Sequence, residues 1–456
     1  MQKTLILAAL LIINLQAQTL KQSIEEILRT NPQILEKQSN YKAEREDITA
    51  AQSGYYPKLD LRVGAGVSDV DETSDPNPEQ NYDGDLYTGY IKLSQNLFEG
   101  FATSSQIDES KAKTLAASYK YVEVADDISL RMVNTYIEVM RNSELLGTAQ
   151  KNVDINTEIF EKVKKLYDAG LTTLSEVNKI ESSLALAKSN YVVQENNLVD
   201  AEYNLQRVLG KPLKADKMIR PVLTDASLPA SAEAAKEVAM KKNPSLLVSM
   251  YNIRQARASH ANSRSNYYPR LDLEVTESYD ESPNIAGSHE EQDFRVMVYL
   301  TYNLFNGFAD ESAIQKNVSR VHQEIQTRHD LERQVLEGLN LSWASYTKLR
   351  DQLKHLEDYK LYSEKTLKLY VKEYDLGRRS LLDLLAAQND FIGSQSQIIT
   401  TEYSILLAKH RILDAMGTLI PTILEDERSV YANVGINADA PADDNMPPRT
   451  KTTSER

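Results

Sequence analysis

The chain has 456 residues, a formal net charge of −14, six histidines and no cysteine. This length exceeds what one compact core usually holds, so several domains or an elongated architecture are expected. The lack of cysteine excludes disulfides, thiolate metal sites, cysteine catalysis and an acylated lipoprotein N-terminus. Because Lys and Arg are dispersed among Asp and Glu, no basic face offsets the negative charge, and a nucleic-acid partner is not expected.

Residues 1–17 have the pattern of an export signal. Lys3 precedes an apolar run from Leu5 to Leu15, and Ala17 supplies a small residue at the cleavage point. The run is too short to span a bilayer as a helix. A buried first helix is the alternative, but nothing amphipathic follows until Leu20, so we expect export.

The rest of the chain is an internal duplication. The segment 54–61, GYYPKLDL, recurs at 266–273 as NYYPRLDL, a displacement of 212 residues. The segment 93–102, LSQNLFEGFA, recurs at 300–309 as LTYNLFNGFA, displaced by 207 residues. One half of the chain is therefore one structural unit, and the other half is its copy.

Each repeat is predicted to contain a short helix, a strand pair, a long helix and a return helix. In chain order we expect an export segment 1–17, a first repeat 18–210, a connector 211–230, a second repeat 231–417, an equatorial connector 418–434 and a disordered tail 435–456. The predicted elements are strand pairs at about 57–98 and 269–305, long helices at about 101–168 and 308–375, and return helices at about 172–209 and 380–416.

The strands alternate between apolar and polar residues, and each is about as long as a tilted transmembrane strand of roughly 9–11 residues. Polar stretches at 69–85 and 280–293 are predicted to be loops within the pairs. The apolar positions include Leu59, Leu61, Leu271 and Leu273, and the opposite positions are Lys58, Asp60, Arg62, Asp272 and Glu274. These five charged residues are predicted to face a water-filled lumen.

Tyrosine pairs support a membrane location for this sheet. The chain has 25 Tyr against 7 Phe, and Tyr55-Tyr56 and Tyr267-Tyr268 stand at one end of the strands, where an aromatic girdle would lie. An amphipathic sheet on a soluble core is the alternative. Four strands cannot close a membrane barrel, because the smallest barrels need about eight. The barrel must be shared, with eight strands from two copies or twelve from three.

The long helices contain no proline and few glycines, and each is on the order of 100 Å long. The second keeps alternating three- and four-residue spacing from Tyr346 to Tyr374, which is typical of a coiled-coil seam. Gly170 and Gly377 are predicted to end these helices at hairpin turns. A short helix and a return helix together nearly match one long helix, so the two could stack end to end beside it.

No enzyme site is evident in the sequence. There is no phosphate-binding loop, no zinc-protease motif and no nucleophile elbow. Of the histidines only His322 and His329 could share a helix face, and we expect no metal and no cofactor. Asp60 and Asp272 could be imagined as a glycosidase pair, but lining a wet lumen is the simpler interpretation.

The turns at the ends of the long helices carry the candidate functional residues. Ser175 and Glu176 begin the first return helix, while Tyr374, Arg379 and Asp383 surround the second turn. An Arg or Tyr hydroxyl that reaches a neighbouring carboxylate can pin one hairpin to another. The alternative is a hydrated turn whose charges only cap helices.

These motifs resemble those of the TolC-type outer-membrane factors, the exit ducts of tripartite efflux pumps and type I secretion systems. The resemblance covers residues 20–419 and includes the two YYP starts, the two NLF-x-G-F turns and the Y-x-x-G-x-R-[ST]-x-x-D block from Tyr374 to Asp383. It implies a mainly α chain with a membrane β-barrel portion. The homotrimer would form a twelve-stranded barrel in the outer-membrane lipid and a helical tunnel across the periplasm.

The resemblance also implies partners and residue roles. The partners would be a periplasmic membrane-fusion adaptor and an inner-membrane transporter, either ABC-type or proton-driven. Tyr374, Arg379 and Glu176, with Ser175 beside them, would hold the tip shut. Asp383 matches one acidic constriction position, but a second is Ala386 here. Drugs, metal ions and secreted protein would all pass such a passive duct. A soluble periplasmic coiled-coil scaffold and a cell-surface hydrolase are the alternatives.

Overall fold

The structure is a computed structural model that describes residues 17–74, 77–284, 287–426 and 429–434. The predicted export segment lies outside the described residues except for Ala17, and the predicted tail lies outside them entirely. The elements in chain order are α1 (Leu20–Thr30), α2 (Pro32–Gln52), β1 (Lys58–Ser74), β2 (Asn77–Glu99), α3 (Ala102–Asp168), α4 (Leu174–Leu209), α5 (Ala232–Lys242), α6 (Pro244–Ser263), β3 (Arg270–Asn284), β4 (Gly287–Thr301), α7 (Ala309–Asp375), α8 (Leu381–Ala415), α9 (Leu419–Leu424) and α10 (Ser429–Ala432).

The predicted fold class is confirmed: the described chain is mainly helical, with four strands in one antiparallel sheet of order β1, β2, β3, β4. The two long helices have 67 residues each and begin and end within one residue of the predicted positions. Of the predicted seam on α7, Tyr346, Leu356 and Ser363 are buried. The return helices α4 and α8 also lie where the copied sequence pattern predicts them.

The prediction of loops at 69–85 and 280–293 was wrong. The antiparallel ladder continues through the described parts of both stretches, with Asp69 opposite Asp83 and Asp280 opposite Glu291, while residues 75–76 and 285–286 lie outside the described residues. Ladder hydrogen bonds use only backbone groups, so a hairpin can extend through polar residues once its register is set. Within the described residues of these two polar stretches, the pairing register shifts between Glu72 and Ser74.

Helices α1 and α5 were missed by the sequence analysis. Thr19 caps α1 in a reciprocal capping box with Gln22, and Ser231 caps α5 through the N–H of Ala234. Each helix has 11 residues and ends at the asparagine of an Asn-Pro pair. The capping residues were the available signal, because helices this short give little periodicity.

The chain forms two compact units, and each contains segments of both repeats. One unit consists of Ser39–Tyr119 and Leu247–Asp330, and it contains the sheet. The other consists of the described parts of Met1–Gln38, Lys120–Leu246 and Leu331–Arg456. The boundaries of the two sequence repeats therefore do not coincide with the boundaries of the two compact units.

The connector between the repeats is held to the helices of its unit by polar contacts. The Tyr136 hydroxyl lies 2.8 Å from the carbonyl oxygens of Gln18 and Ile219, and it accepts a hydrogen bond from the Ile219 N–H at 3.0 Å. The ammonium group of Lys409 on α8 lies 2.6 Å from a carboxylate oxygen of Asp225. These contacts fix a segment that has little regular structure of its own.

Two carboxyl groups lie close together near the end of α8. Asp126 on α3 is buried, and Asp414 is in the last turn of α8. Burial raises the pKa of Asp414 to about 7, repulsion from Asp127 adds to this, and Arg411 opposes it. Burial, followed by repulsion from Asp414, raises the pKa of Asp126 well above its usual range, although a hydrogen bond from the Ile420 backbone opposes this.

The raised pKa values predict that the protein loses stability as the pH rises. Because the folded state binds these protons more tightly than the unfolded state, their stabilisation is full below the ordinary carboxyl pKa of about 4. It is lost as the pH rises through the Asp414 pKa of about 7. Asp414→Asn should therefore flatten the fall in melting temperature between about pH 5 and about pH 8.

Thermal unfolding of the detergent-solubilised protein across that range tests this prediction. Asp216→Asn is the matched control, because Asp216 is an exposed carboxylate in the connector and its loss should leave the slope unchanged. Equal slopes in wild type and Asp414→Asn would contradict the prediction.

Candidate functional site

The strand register places the five predicted lumen residues on one face of the sheet. Lys58 is opposite Ser94, which is opposite Glu274, and Asp60 is opposite Lys92. Directly opposed residues on antiparallel strands share a face, so this face is polar across β1, β2 and β3. The remaining members of the predicted set, Arg62 and Asp272, have the same parity.

Polar side chains on this face contact one another across the strands. The Asn96 amide donates to a carboxylate oxygen of Asp272 at 2.9 Å, and the Lys92 ammonium lies 2.8 Å from a carboxylate oxygen of Glu274. Arg270 reaches Asp272 along its own strand at 2.7 Å. The face thus pairs cations with anions, which suits a wall in contact with water. That it lines a lumen stays a prediction.

The opposite face is apolar and exposed. Leu61 is 73% exposed, Val63 77% and Val298 59%, so the rest of the described chain leaves a wide apolar surface uncovered. Its apolar residues include Leu59, Leu61, Val63, Ile91, Leu93, Leu271, Leu273, Val275, Val296, Val298 and Leu300, and the polar residues Gln95 and Glu277 share the face.

The apolar band crosses the sheet diagonally. Leu59 is in one row with Leu93, Val275 and Val296. Beyond this row β1 stays apolar as far as Val67, whereas β3 and β4 soon turn to charged residues. A lipid-facing band keeps one depth in the membrane. If it crosses the strands diagonally, the strands must be tilted from the membrane normal, as they are in membrane barrels at about 35–45°.

The strands meet the helices at a Gly-Phe turn in each repeat. Gly100 and Phe101 have φ of 62° and 68°, and Gly307 and Phe308 have φ of 56° and 64°. A bulky residue in this left-handed region is strained, so its recurrence in both repeats indicates a required turn. The exposed rings of Phe101 and Phe308 lie at the same end of the sheet as Tyr55-Tyr56.

At the other candidate site, the long helices end at glycines as predicted. Gly170 has a φ of 73° and Gly377 a φ of 68°. The return helices then begin at Thr173 and Ser380, whose side chains cap them by accepting from the backbone N–H of Glu176 and Asp383. Both turns therefore combine a left-handed glycine with a capped return helix.

Arg379 has partners that the sequence analysis did not name. Its guanidinium donates to Glu373 at 2.7 and 2.9 Å, stacks over the Tyr370 ring at 4.1 Å and lies 3.9 Å from Asp383. The hydrogen bond to Glu373 raises the pKa of Arg379, so the cation is retained. Within the chain Arg379 thus binds its own hairpin, and a link to Glu176 stays a prediction.

Within one chain, Glu176 lies near enough to Tyr374 for its charge to act on the Tyr374 hydroxyl. The Thr172 hydroxyl donates to the Glu176 carboxylate, and Tyr374 packs against a small core that includes Val163 and Ile180. Burial raises the pKa of Tyr374, and the Glu176 charge adds to the shift. The structure therefore brings these two predicted residues together within one chain.

A cleft of about 490 Å³ connects the two turns. Ser175 and Glu176 of the first turn line it together with Ser380 of the second. A further contact between the hairpins, missed from sequence, is the ion pair of Lys162 with Asp375. Its partners are 213 residues apart, and no local pattern identifies them.

The described residues contain neither a membrane-spanning helix nor a cluster suited to a metal ion. Within the described ranges, no helix is both long enough and apolar enough to cross a membrane. No group of three or more His, Cys, Asp or Glu side chains among the described residues is arranged to hold a metal ion.

Comparison with known proteins identifies relatives along nearly the whole chain. It is 23% identical over 412 residues to the outer membrane protein TolC of Vibrio cholerae serotype O1, covering 88% of this chain and 91% of that protein. It is 22% identical over 414 residues to the alkaline protease secretion protein AprF of Pseudomonas aeruginosa, covering 87% and 84%.

Solved structures share the fold. The outer-membrane channel OprN aligns with a TM-score of 0.77 at 16% identity, over 88% of this chain and 90% of that chain. The Campylobacter jejuni CmeC outer membrane channel aligns with a TM-score of 0.76 at 13% identity, over 88% and 86%. The family model described as outer membrane efflux protein matches residues 23–211 and 237–418, which is most of the chain. The chain belongs to the outer membrane efflux protein family.

Proposed function

We propose that this chain is the outer-membrane exit channel of a tripartite efflux pump or a type I secretion system. Its homotrimer would place a shared barrel in the outer-membrane lipid and a helical tunnel in the periplasm. The tunnel would meet a membrane-fusion adaptor and an inner-membrane transporter, ABC-type or proton-driven. The duct itself performs no catalysis and passes cargo selected by the transporter.

The observation that carries this proposal is the four-stranded sheet with one apolar face, one charged face and two free edges. The exposed apolar face fits lipid, and the charged face fits a water-filled lumen. Free edges are not tolerated in lipid, because unpaired backbone groups there have no water to bond. Several copies of the sheet must therefore join edge to edge, and three would give twelve strands.

Relatives with functional names support the same proposal. The alkaline protease secretion protein of Pseudomonas aeruginosa indicates secretion, while the toluene efflux pump outer membrane protein TtgC of Pseudomonas putida indicates efflux. Both activities need an outer-membrane exit, so they agree on the duct and differ in the cargo.

Reconstitution of the full-length protein tests the proposal. Extracted from membranes, it should run as a heat-modifiable oligomer whose cross-linking stops at trimers, and in planar bilayers it should form cation-preferring channels. Asp383→Asn should reduce that preference, because a ring of Asp383 side chains would sit at the constriction. Asp216→Asn, which changes an equal charge in the connector, is the control. A freely soluble protein with no channel activity would instead support a periplasmic scaffold.

A further inference from the structure

Four polar residues form a hydrogen-bonded layer between the two helical hairpins, α3/α4 and α7/α8. The Gln388 amide on α8 donates to the side-chain oxygen of Asn152 on α3 at 3.0 Å. The Asn156 amide donates to the same oxygen at 3.0 Å, and the Ser183 hydroxyl on α4 donates to the Asn156 side-chain oxygen at 2.9 Å. We call these four residues the amide layer. It links the second hairpin to both helices of the first.

One acceptor in the amide layer is buried without a partner. Gln388 and Asn156 are each 1% exposed. Among the described residues, Gln388 Oε1 has no hydrogen-bond partner. A buried acceptor that loses water and gains no donor raises the free energy of the folded state, and such groups are rare in native proteins. The contact between the hairpins therefore carries an unfavourable contribution at Gln388.

The amide layer interrupts an apolar seam on α8. Leu381 and Leu385 are buried and pack with Val163 and Ile180 of the first hairpin. Gln388 occupies the next position of the same seam, because the spacing from Leu381 to Leu385 to Gln388 is four residues and then three. An apolar side chain of similar length would suit this position by spacing and by burial. A polar residue at a seam position lowers stability, so packing does not explain its presence here.

We infer that the amide layer is a release plane, which keeps the contact between the two hairpins weak enough for them to part when the tip opens. The inference rests on the proposed function, because it needs a channel whose tip has an open state. When the hairpins part, water replaces the hydrogen bond between Gln388 and Asn152 at little net cost, and Gln388 Oε1 gains a partner. A continuous apolar seam would instead lose favourable burial along its whole length. The amide layer therefore narrows the free-energy gap between the closed and open states.

The contacts on either side of the amide layer fit this role. Toward the turns, the apolar contact is confined to the small core around Val163, and the ion pair of Lys162 with Asp375 joins partly exposed side chains. Such ion pairs are weak and screened by salt. Away from the turns, the buried Tyr403 on α8 donates its hydroxyl to Glu144 on α3 at 2.6 Å. The part of the interface that must separate is thus the part with the smaller apolar contact.

Gln388→Met tests the inference, because methionine resembles glutamine in length and has no amide. Asn152 keeps the Asn156 amide as a donor in this variant. Parting of the hairpins can be measured directly in a chain without cysteine, since Val163→Cys places a thiol in the buried core between them. A maleimide reaches this thiol only when the hairpins part, so the labelling rate of the detergent-solubilised full-length oligomer reports the open population. Gln388→Met should slow labelling about tenfold and leave the melting temperature equal or higher.

Three further variants control this measurement. Gln397→Met is the matched control, because Gln397 is an exposed glutamine on the same helix and its replacement should leave labelling unchanged. Asn152→Ala removes the acceptor of Gln388, so labelling should become faster and the melting temperature should fall. Lys165→Cys, at an exposed position of α3, gives the intrinsic reaction rate of the thiol. Heat-modifiability checks that every variant assembles, and Gln388→Leu probes the same contact if Gln388→Met does not assemble.

Slower labelling in Gln388→Met, with an unchanged or higher melting temperature, supports the inference. Unchanged or faster labelling in the assembled variant overturns it, as does a lack of labelling at Val163→Cys in a protein that conducts ions. Loss of a single oligomeric state in Gln388→Met would show that the amide layer only fixes the register of the hairpins, which also overturns the release plane. These results leave the proposed channel standing. An assembled protein that conducts no ions rejects the proposed function and the inference with it.

Discussion

Tyr374→Phe combined with Arg379→Ser should raise single-channel conductance several-fold above wild type while leaving trimer stability unchanged. Both side chains lie at the turn that ends α7. Tyr374→Phe keeps the ring that packs against Val163 and Ile180, and the ion pairs of Arg379 are with half-exposed carboxylates. Contacts of this kind are individually weak in water, so only their repetition in every copy can keep a closed state dominant. Removing two side chains per copy changes six positions in a trimer.

Two single variants separate the possible partners of Arg379. Within one chain its guanidinium pairs with Glu373, whereas the resemblance to TolC-type channels implies a link to Glu176. If the link to Glu176 holds the tip, Glu176→Gln should raise conductance and Glu373→Gln should not. If the pair of Arg379 with Glu373 holds the tip instead, Glu373→Gln should raise conductance more than Glu176→Gln.

Planar-bilayer recordings at fixed ionic strength measure both results. The melting temperature and the SDS-resistant trimer fraction serve as controls for the fold. Wild-type conductance in the double variant and in both single variants would show that these residues are ordinary helix-turn caps and that closure depends on other contacts.

The fold could be predicted largely because the chain is duplicated. Each long helix and return helix was predicted from two copies of the sequence, and the two copies agree on its ends to within about one residue. The two faces of the strands could also be predicted, because the alternation of Leu59, Asp60 and Leu61 is repeated at Leu271, Asp272 and Leu273. Periodicity reports which face a residue occupies, and duplication reinforces that information.

The extent of the strands was harder to predict. Asp, Asn, Pro and Gly are turn formers by propensity, and the stretch 69–85 is rich in them. Backbone pairing in an antiparallel hairpin overrides this propensity once the preceding residues are in register. Sequence patterns therefore located the apolar part of each strand and missed its polar continuation.

The residues of the hairpin turns were identified, but not all their partners. The resemblance implies a link between Arg379 and Glu176, which stays a prediction. Within the chain Arg379 contacts Glu373, six residues earlier, and lies over the Tyr370 ring. A flexible side chain with several acids in reach cannot be assigned a partner from spacing alone. The ion pair of Lys162 with Asp375, which joins the two hairpins, could not be predicted from spacing either, because the proximity of these residues depends on how the coiled coils pack.

Val63→Arg is expected to destabilise the assembled protein far more than Arg62→Val, although the two positions are adjacent. Val63 lies in the middle of the apolar band of β1, which runs from Leu59 to Val67, and its side chain is 77% exposed. An arginine on the lipid face near the bilayer midplane costs about 2–4 kcal/mol, while lumen-facing changes are tolerated. Three copies of the substitution in one barrel should multiply the effect.

The fraction of heat-modifiable trimer in outer membranes and the urea midpoint of refolding into lipid vesicles measure this difference. Val63→Leu, which keeps the position apolar, is the matched control and should behave as wild type. Because a strand reverses its faces at every residue, a register error of one would exchange the outcomes of Val63→Arg and Arg62→Val. Tolerance of Val63→Arg together with loss of assembly in Arg62→Val would therefore mean that the charged face, with Asp60 and Glu274, meets the lipid and that the proposed lumen is on the wrong side of the sheet.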